Sequence, residues 1–365
     1  MHEIFADVKG QSSALDILSK IYSSKRIPNA LLFSGNEGIG KHFTAIQFLK
    51  LLNGNTASSN LKISKLSEPY IKLITPLPRG KNETNSDLPF DKLTSDMAEE
   101  INEQYHLKSE NPYHQINIKN ANNIKINSIR EINKIVSLNF DEILYRGIII
   151  SDAHKMSIEA QNAFLKNLEE PPEGIIYILI SSQPDNLLTT IKSRCWTVNF
   201  SPLAENDIAE ILNKYFKYSS DSINEILPFA YGSVTNAIFL LENNFEKYLH
   251  KTIIILRYSL ARKYFTATKE FAELLESNAA LVFNMIVDLI IMWFNDTLKM
   301  KHGNSDIKFS SYKDTLEKFN QKFDEVDISR TVARLVEIRN SSERNVYLNL
   351  TMMNVIFEVA SIGMK

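Results

Sequence analysis

The chain reads as an α/β domain with a parallel sheet, followed by two largely helical units, and three observations carry that expectation. Within residues 146–200 a β-rich apolar run at 148–150 is followed by helically spaced Ala160, Ala163, Phe164 and Leu168. A second apolar run at 175–180 comes next, which is strand, helix, strand. Nearer the N-terminus, Ala30-Leu31-Leu32-Phe33 passes directly into a glycine-rich loop and then a helix. Past Phe200 the apolar spacing is helical throughout. Strands that alternate with helices can pair in parallel, because each helix supplies the crossover a parallel neighbour needs.

Ala14, Leu15, Ile17, Leu18 and Ile21 predict an amphipathic helix over residues 12–24, opening after Gly10-Gln11, and Pro28 resets the backbone before the first strand. The loop that follows reads Gly35-Asn36-Glu37-Gly38-Ile39-Gly40-Lys41, and Phe43, Ile46, Phe48 and Leu49 continue it as a helix. That is the spacing and context of a P-loop. Gly35, Gly38 and Gly40 let backbone N–H groups turn inward around phosphate, and Lys41 adds a point charge. His42 stands where a serine or threonine hydroxyl would hold Mg²⁺, and an imidazole is a poor ligand for so hard a cation. Thr44 lies elsewhere on the helix. The strand at 148–150 is followed by Ser151-Asp152, so serine replaces the aspartate that would orient the metal and aspartate replaces the longer glutamate that would activate water. Both groups that usually fix the metal are therefore absent, and hydrolysis by this chain is not expected. Asp152 reads as a strand-end or capping carboxylate. No cofactor is required by this reading, whereas binding of ATP or ADP at Lys41 stays open.

Composition limits the alternatives. A formal net charge of −2 and a pI of about 6.4 give no whole-chain attraction to nucleic acid, so DNA contact would need a local patch or partner subunits. Cys195 is the single cysteine, which excludes an internal disulfide and a multi-cysteine zinc site. The seven histidines are scattered and no metal is expected. The first residues lack the basic and apolar regions of a secretory leader, which makes a cytoplasmic location the expectation. The most apolar stretch, 285–294, is interrupted by Asp288 and reads as too short to span a membrane.

Between the loop and the 148–150 strand, residues 70–75 suit a strand that Pro76-Leu77-Pro78-Arg79-Gly80 ends. Residues 79–95 are polar and read as an exposed excursion within an insertion at about 76–112, with a short helix over 96–105. Arg79 and Lys81 there could touch DNA, although a solvated loop is the plainer account. Ile126, Ile129, Ile132 and Val136 suit a helix with Arg130 exposed, while Ser157 caps the helix that Pro171-Pro172 stops. Ile208, Ile211, Leu212 and Phe216, then Ile223, Ile226 and Leu227, open the helical part, and Gly232-Ser233-Val234-Thr235 starts a further helix. Leu281, Met285, Val287, Leu289, Ile290, Trp293 and Phe294 make a helix apolar around much of its circumference, destined for a core or an interface. Residues 302–311 read as a polar surface loop.

Six words occur in order across the first 200 residues: Gly10-Gln11, R-I-P-N-A-L-L-F-S-G at 26–35, S-I-R-E-I at 128–132, N-A-F-L-K-N-L-E-E-P-P at 162–172, L-L-T-T-I-K-S-R-C at 187–195 and S-P-L at 201–203. On these words the chain resembles the bacterial clamp-loader subunits of the AAA+ class, and most closely the delta-prime branch of the DNA polymerase III family. The L-E-E-P-P word followed by S-R-C is the specific combination. The resemblance implies an AAA+ nucleotide-fold domain at 1–200, a helical lid at 201–245 and a helical collar at 246–365, whose last helix the N-V-Y-L-N-L word at 345–350 resembles. It implies that Ser193-Arg194-Cys195 is a finger motif, with Arg194 supplied in trans to the ATP of a neighbouring subunit. Thr235 stands where active lids carry a sensing arginine. The zinc module that many relatives insert is missing here with its cysteines. The implied partners are gamma/tau-type motor subunits and a delta subunit in a hetero-oligomer, with the sliding clamp and primed DNA reached through that complex and no membrane. The implied process is DNA replication, as a component of the polymerase III holoenzyme. An active ATPase of the same family and a purely structural loader adaptor are the alternatives, and a surface salt bridge is the plainer account of Arg194.

Overall fold

In the computed structural model, which describes residues 3–67, 69–136, 143–276, 279–304, 306–341 and 347–364, five short strands share one sheet. They are β1 (Ala30–Ser34), β2 (Ile71–Ile74), β3 (Arg146–Ile150), β4 (Ile175–Ser181) and β5 (Trp196–Asn199). Every pair is parallel and the order is β2-β3-β4-β1-β5. The inner strands are runs of Ile and Leu with no alternation, as a sheet covered on both faces requires. Register places Ala30 opposite Tyr177, Leu31 opposite Trp196 and Arg146 opposite Ile175. The carboxyl ends of β1 and β3 therefore open on one edge, and the loop at 35–41 and the Ser151-Asp152 pair meet there. Ligands of open α/β sheets bind at that edge.

The helices of this part are α1 (Ser12–Ser23), α2 (Lys41–Leu52), α3 (Ala57–Ser64), α4 (Ser95–Glu110), α5 (Ile126–Val136), α6 (Ile158–Glu169), α7 (Thr189–Lys192) and α8 (Glu205–Tyr215). One core gathers Ile129 and Ile132 of α5 and Ala160 and Phe164 of α6 against Ile148, Ile150, Tyr177 and Leu179 of the sheet. Ser157 Oγ accepts from the Ala160 N–H at 3.2 Å, and α6 stops at Glu169 ahead of the two prolines. The side chain of Val136 lies outside the described residues.

The insertion departs from the free excursion expected of it. Glu83 is buried, and its carboxylate accepts from the Gly80 N–H at 2.8 Å, from Asn127 Nδ2 at 2.7 Å and from Lys125 Nζ at 2.7 Å. Leu77, Ile101 and Ile118 form a small core of their own. Helix α4 is longer than 96–105 because Thr94 caps its start and Ile101 gives it a buried face. Arg130 is exposed as expected and donates to the Asn85 carbonyl at 2.6 Å.

By contact density the chain forms two units, Met1–Ser219 with Gly232–Thr235, and Ser220–Tyr231 with Asn236–Lys365. The second is helical: α9 (Ser220–Ile226), most of α10 (Val234–Glu242), α11 (Phe245–Leu260), α12 (Tyr264–Ala272), α13 (Ala279–Lys301), α14 (Lys313–Lys322), α15 (Ile328–Ser341) and α16 (Leu348–Ser361). Helix α13 has 23 residues and a mean hydropathy of 1.5 over its most apolar window, so by length and composition it could cross a membrane, unlike the 285–294 stretch alone. Of that window 72% is buried inside the protein, and Asp288 within it is held by Arg339 at 2.7 and 3.1 Å. The 302–311 segment is not all surface. Phe309 is buried, its N–H donates to Asp296 Oδ2 at 2.8 Å, and its ring meets Phe229 edge-on at 5.4 Å. Polar neighbours in the sequence had concealed this aromatic anchor. Of the 345–350 word, residues 345 and 346 lie outside the described residues, and Leu348 opens α16.

Candidate functional site

The glycine loop is shaped by close approach. Gly38 and Gly40 have φ of +70° and +93°, and a Cβ on Gly38 would fall 2.5 Å from the Thr235 backbone nitrogen. Gln11 clasps the loop: its Nε2 donates to the Ile39 carbonyl at 3.1 Å and the Ser201 carbonyl at 2.8 Å, and its Oε1 accepts from the Ser201 N–H at 3.0 Å. The Gly10-Gln11 and S-P-L words of the sequence are thus two halves of one contact.

Lys41 is 5% exposed, and its ammonium donates to the carbonyls of Gly35, at 2.5 Å, and Asn36. Burial pushes its pKa down to about 8, against the pull of Glu37 and Asp152. His42 is buried with neither ring nitrogen partnered among the described residues. Burial first, and then the charge of Lys108, hold it well below the usual histidine range, so it is neutral. Thr44 Oγ1 is spent on the Gly40 carbonyl at 2.9 Å. The first turn of α2 therefore offers no free oxygen to a hard cation, and the lysine that would meet phosphate is bonded to its own loop. Mg²⁺ does not fit the residues present.

On the neighbouring strand end, the Ser151 N–H donates to the Ile74 carbonyl at 2.9 Å. Asp152 follows at φ +53° and meets Lys155 Nζ at 2.9 Å. Burial raises the Asp152 carboxyl, but Lys155, with His154 and Lys41 behind it, outweighs burial and holds it below the ordinary value. Asp152 precedes the short turn Ala153–Lys155 without capping it through its side chain, so of the strand-end and capping readings the strand-end one describes it, with Lys155 as its partner. The loop and this pair come together as the spacing required.

Three residues at this edge were not singled out from the sequence. Lys108 at the end of α4 donates to the carbonyls of Pro112 at 2.8 Å and His114 at 2.6 Å. Burial lowers its pKa to about 7, with Asp152 opposing and Lys41 assisting. Tyr113 is 5% exposed, its hydroxyl lies 3.2 Å from where a Cβ of Gly40 would stand, and its ring packs between those of Phe43 and Tyr215 at 5.9 and 5.6 Å. Gln115 Nε2 donates to Thr235 Oγ1 at 2.7 Å and reaches Glu37 Oε2 at 3.4 Å. No motif marks them, because they approach the loop only through the fold.

Arg194 belongs to the other edge of the sheet. It lies between α7 and β5, and because β5 runs parallel to β1 it stands at the strands' amino ends, with the glycine loop at their carboxyl ends. A five-residue strand separates the two by roughly 16 Å. Arg194 cannot serve the chain's own loop. Its guanidinium donates to the Thr190 carbonyl at 3.0 Å and to Glu169 Oε1 at 2.8 Å, and the side chain is 36% exposed. Ser193 Oγ donates to the same Thr190 carbonyl at 3.2 Å. Burial pushes the Cys195 thiol up to about 12, so it is a packing group and no nucleophile. Trp196, 58% exposed, borders Arg194 around a shallow cavity of about 310 Å³.

A family profile described as DNA polymerase III, delta subunit, matches residues 10–204. Among characterised proteins, the tau subunit of DNA polymerase III from Bacillus subtilis is 30% identical over 243 residues, 65% of this chain and 37% of the relative. The gamma subunit from Buchnera aphidicola subsp. Schizaphis graminum is 24% identical over 357 residues, 94% and 86% of the two chains. The delta' subunit from Bacillus subtilis is 26% identical over 215 residues, 57% and 64%. The chain thus spans little more than a third of the length of the first of these. Of solved structures, a DNA polymerase III gamma subunit-related protein from Thermotoga maritima aligns over 95% of this chain and 99% of its own, at 16% identity and a TM-score of 0.40. The Thermotoga maritima RuvB branch migration motor aligns over 84% and 88%, at 12% identity and 0.39.

Proposed function

The chain belongs to the DNA polymerase III clamp-loader family, and from that membership we propose that it acts as a delta-prime-like subunit that hydrolyses no ATP itself and completes the ATP site of a neighbour with Arg194. The observation that carries this reading is the pairing of a loop without metal ligands and an arginine held on the opposite sheet edge. A permanently charged planar fork suits charge that develops on a transferring phosphoryl group, and in other NTPases such an arginine is worth on the order of 10³–10⁵ in rate. Partial exposure and, among the described residues, a single carboxylate partner leave Arg194 able to change partners at low cost. The three-part division at 200 and 245, the collar role of 246–365, the gamma/tau-type, delta, clamp and primed-DNA partners, and the cytoplasmic setting all form part of this proposal.

A second reading, an ATP-hydrolysing subunit of the gamma/tau type, is favoured by the 30% identity to a tau subunit. Hydrolysis separates the two. The isolated chain is expected to show no turnover that Lys41→Ala abolishes; such turnover would establish the second reading. In the reconstituted loader, Arg194→Ala is expected to leave assembly intact and to remove most of the clamp- and DNA-stimulated ATPase of the adjoining site. Unchanged turnover in an intact complex would make the chain a structural adaptor.

A further inference from the structure

The segment at 111–115 is fastened at both ends across the mouth of the glycine loop. On the insertion side Lys108 binds the Pro112 and His114 carbonyls, His114 Nε2 is 3.0 Å from Gln104 Oε1, and Asn111 Oδ1 accepts from the Tyr113 N–H at 2.9 Å. On the loop side Tyr113 covers Gly40 and Phe43, and Gln115 bridges Glu37 and Thr235. A nucleotide whose phosphates lie in the loop needs the space beside Gly40 and the first turn of α2, and Tyr113 stands against both, its hydroxyl 3.2 Å from where a Gly40 Cβ would be and its ring 5.9 Å from that of Phe43.

We propose that this strap is the resident occupant of the P-loop: the chain has turned its nucleotide site into a docking site for its own residues 111–115, with Tyr113 as the plug and Gln115 as the latch. The inference rests on the reading of the chain as a non-hydrolysing subunit and supplies its cause. Loss of the metal ligands explains why hydrolysis fails; the strap explains why nucleotide does not enter. The affinity for any ligand of the loop is its intrinsic value multiplied by the fraction of molecules in which the strap is open. That fraction rises when the plug or latch is cut. The buried Tyr113 hydroxyl has no hydrogen-bond partner among the described residues, so a phenylalanine would seat at least as well.

The test is a fluorescence titration of the full chain with a labelled ATP analogue, with and without Mg²⁺, for wild type, Tyr113→Phe, Tyr113→Ala and Gln115→Ala. Wild type and Tyr113→Phe should show no saturation up to about 1 mM, while Tyr113→Ala and Gln115→Ala should bind at least about tenfold more tightly. Gln115 is exposed, so its variant keeps the test alive if Tyr113→Ala fails to fold. Equal affinity in all four proteins overturns the proposal, whether that shared affinity is micromolar or nil, because the strap would then exclude nothing. Neither result touches the Arg194→Ala assay, and failure of the non-hydrolysing reading would appear separately as turnover by wild type.

Discussion

At the residue scale, the contact between Arg194 and Glu169 joins the two most specific words of the sequence, since Glu169 belongs to L-E-E-P-P and Arg194 to S-R-C. A half-exposed pair of this kind contributes roughly 0–1 kcal/mol, so its stability value does not explain the arginine. The proposed finger role yields a sharper expectation than removal: Arg194→Lys keeps the charge but loses the fork, and in the assembled loader it should lower turnover nearly as far as Arg194→Ala. Full rescue by lysine would sink the finger assignment. Asp288 and Arg339 present the opposite case. Asp288 is 4% exposed and lies within the most apolar window of α13, and burial raises its pKa despite the arginine. Arg339→Leu should cost about 3–5 kcal/mol at neutral pH, because it strands a buried carboxylate. A carboxyl whose folded pKa lies above its unfolded value binds the proton more tightly when folded, so stability grows as pH falls through the folded value. The deficit of the variant should therefore shrink as chemical denaturation is repeated toward acidic pH, and a constant deficit would refute the assignment. Asp288 was visible in the sequence as an interruption; its partner, 51 positions away, was not.

At the scale of elements, the sequence was legible wherever the cause of structure is local. The α6 helix is bounded by Ser157 and by two prolines within a few residues of its ends, and the β1 strand, glycine loop and α2 follow one another without a gap. The three inner strands declared themselves as short apolar runs. Strand β5 did not, because Trp196-Thr197-Val198-Asn199 is short, half polar and ordered only by its register with β1. The insertion was illegible for a related reason. Its polar residues look solvated until Glu83 meets Lys125 and Asn127, which lie 42 and 44 positions on. The same distance hid Tyr113 and Gln115 from the site. Glu83→Ala removes an acceptor of three donors and leaves Lys125 and Asn127 partly buried, so it should cost about 2–4 kcal/mol in urea unfolding. Hydrogen exchange should quicken at 76–95. Desolvation alone would raise the Glu83 carboxyl, but its bonds to Lys125, Gly80 and Asn127 bring the net shift below the ordinary value. A depressed folded pKa means stability present above the unfolded value and lost as pH falls through the folded one. The difference between wild type and variant should thus be widest near neutrality and close in acid; a gap that widens in acid would contradict it.

At the scale of the molecule, hydrophobic burial distinguishes what the chain does for itself from what it offers to others. The second unit buries α13 almost completely, yet on α12 and α16, which pack together through Tyr264 and Phe357 at 5.3 Å, it leaves Phe265 84%, Leu350 60% and Phe357 48% exposed. Single exposed apolar residues are ordinary, whereas several on one pair of packed helices are what a surface that meets a partner would show. Under the proposed collar role this surface is where neighbouring subunits of the loader meet it. Exposed positions outside that ring contact carry little of the fold, so Phe265→Asp with Leu350→Asp should leave the circular dichroism and melting of the isolated chain close to wild type. The same pair places two charges in an interface core, where charged residues are depleted, and should abolish co-elution with the partner subunits. Because this defect precedes chemistry, it is distinct from that of Arg194→Ala, which is expected to assemble and fail in turnover. Assembly that survives both aspartates would move the interface elsewhere on the second unit and remove the collar assignment from α12 and α16.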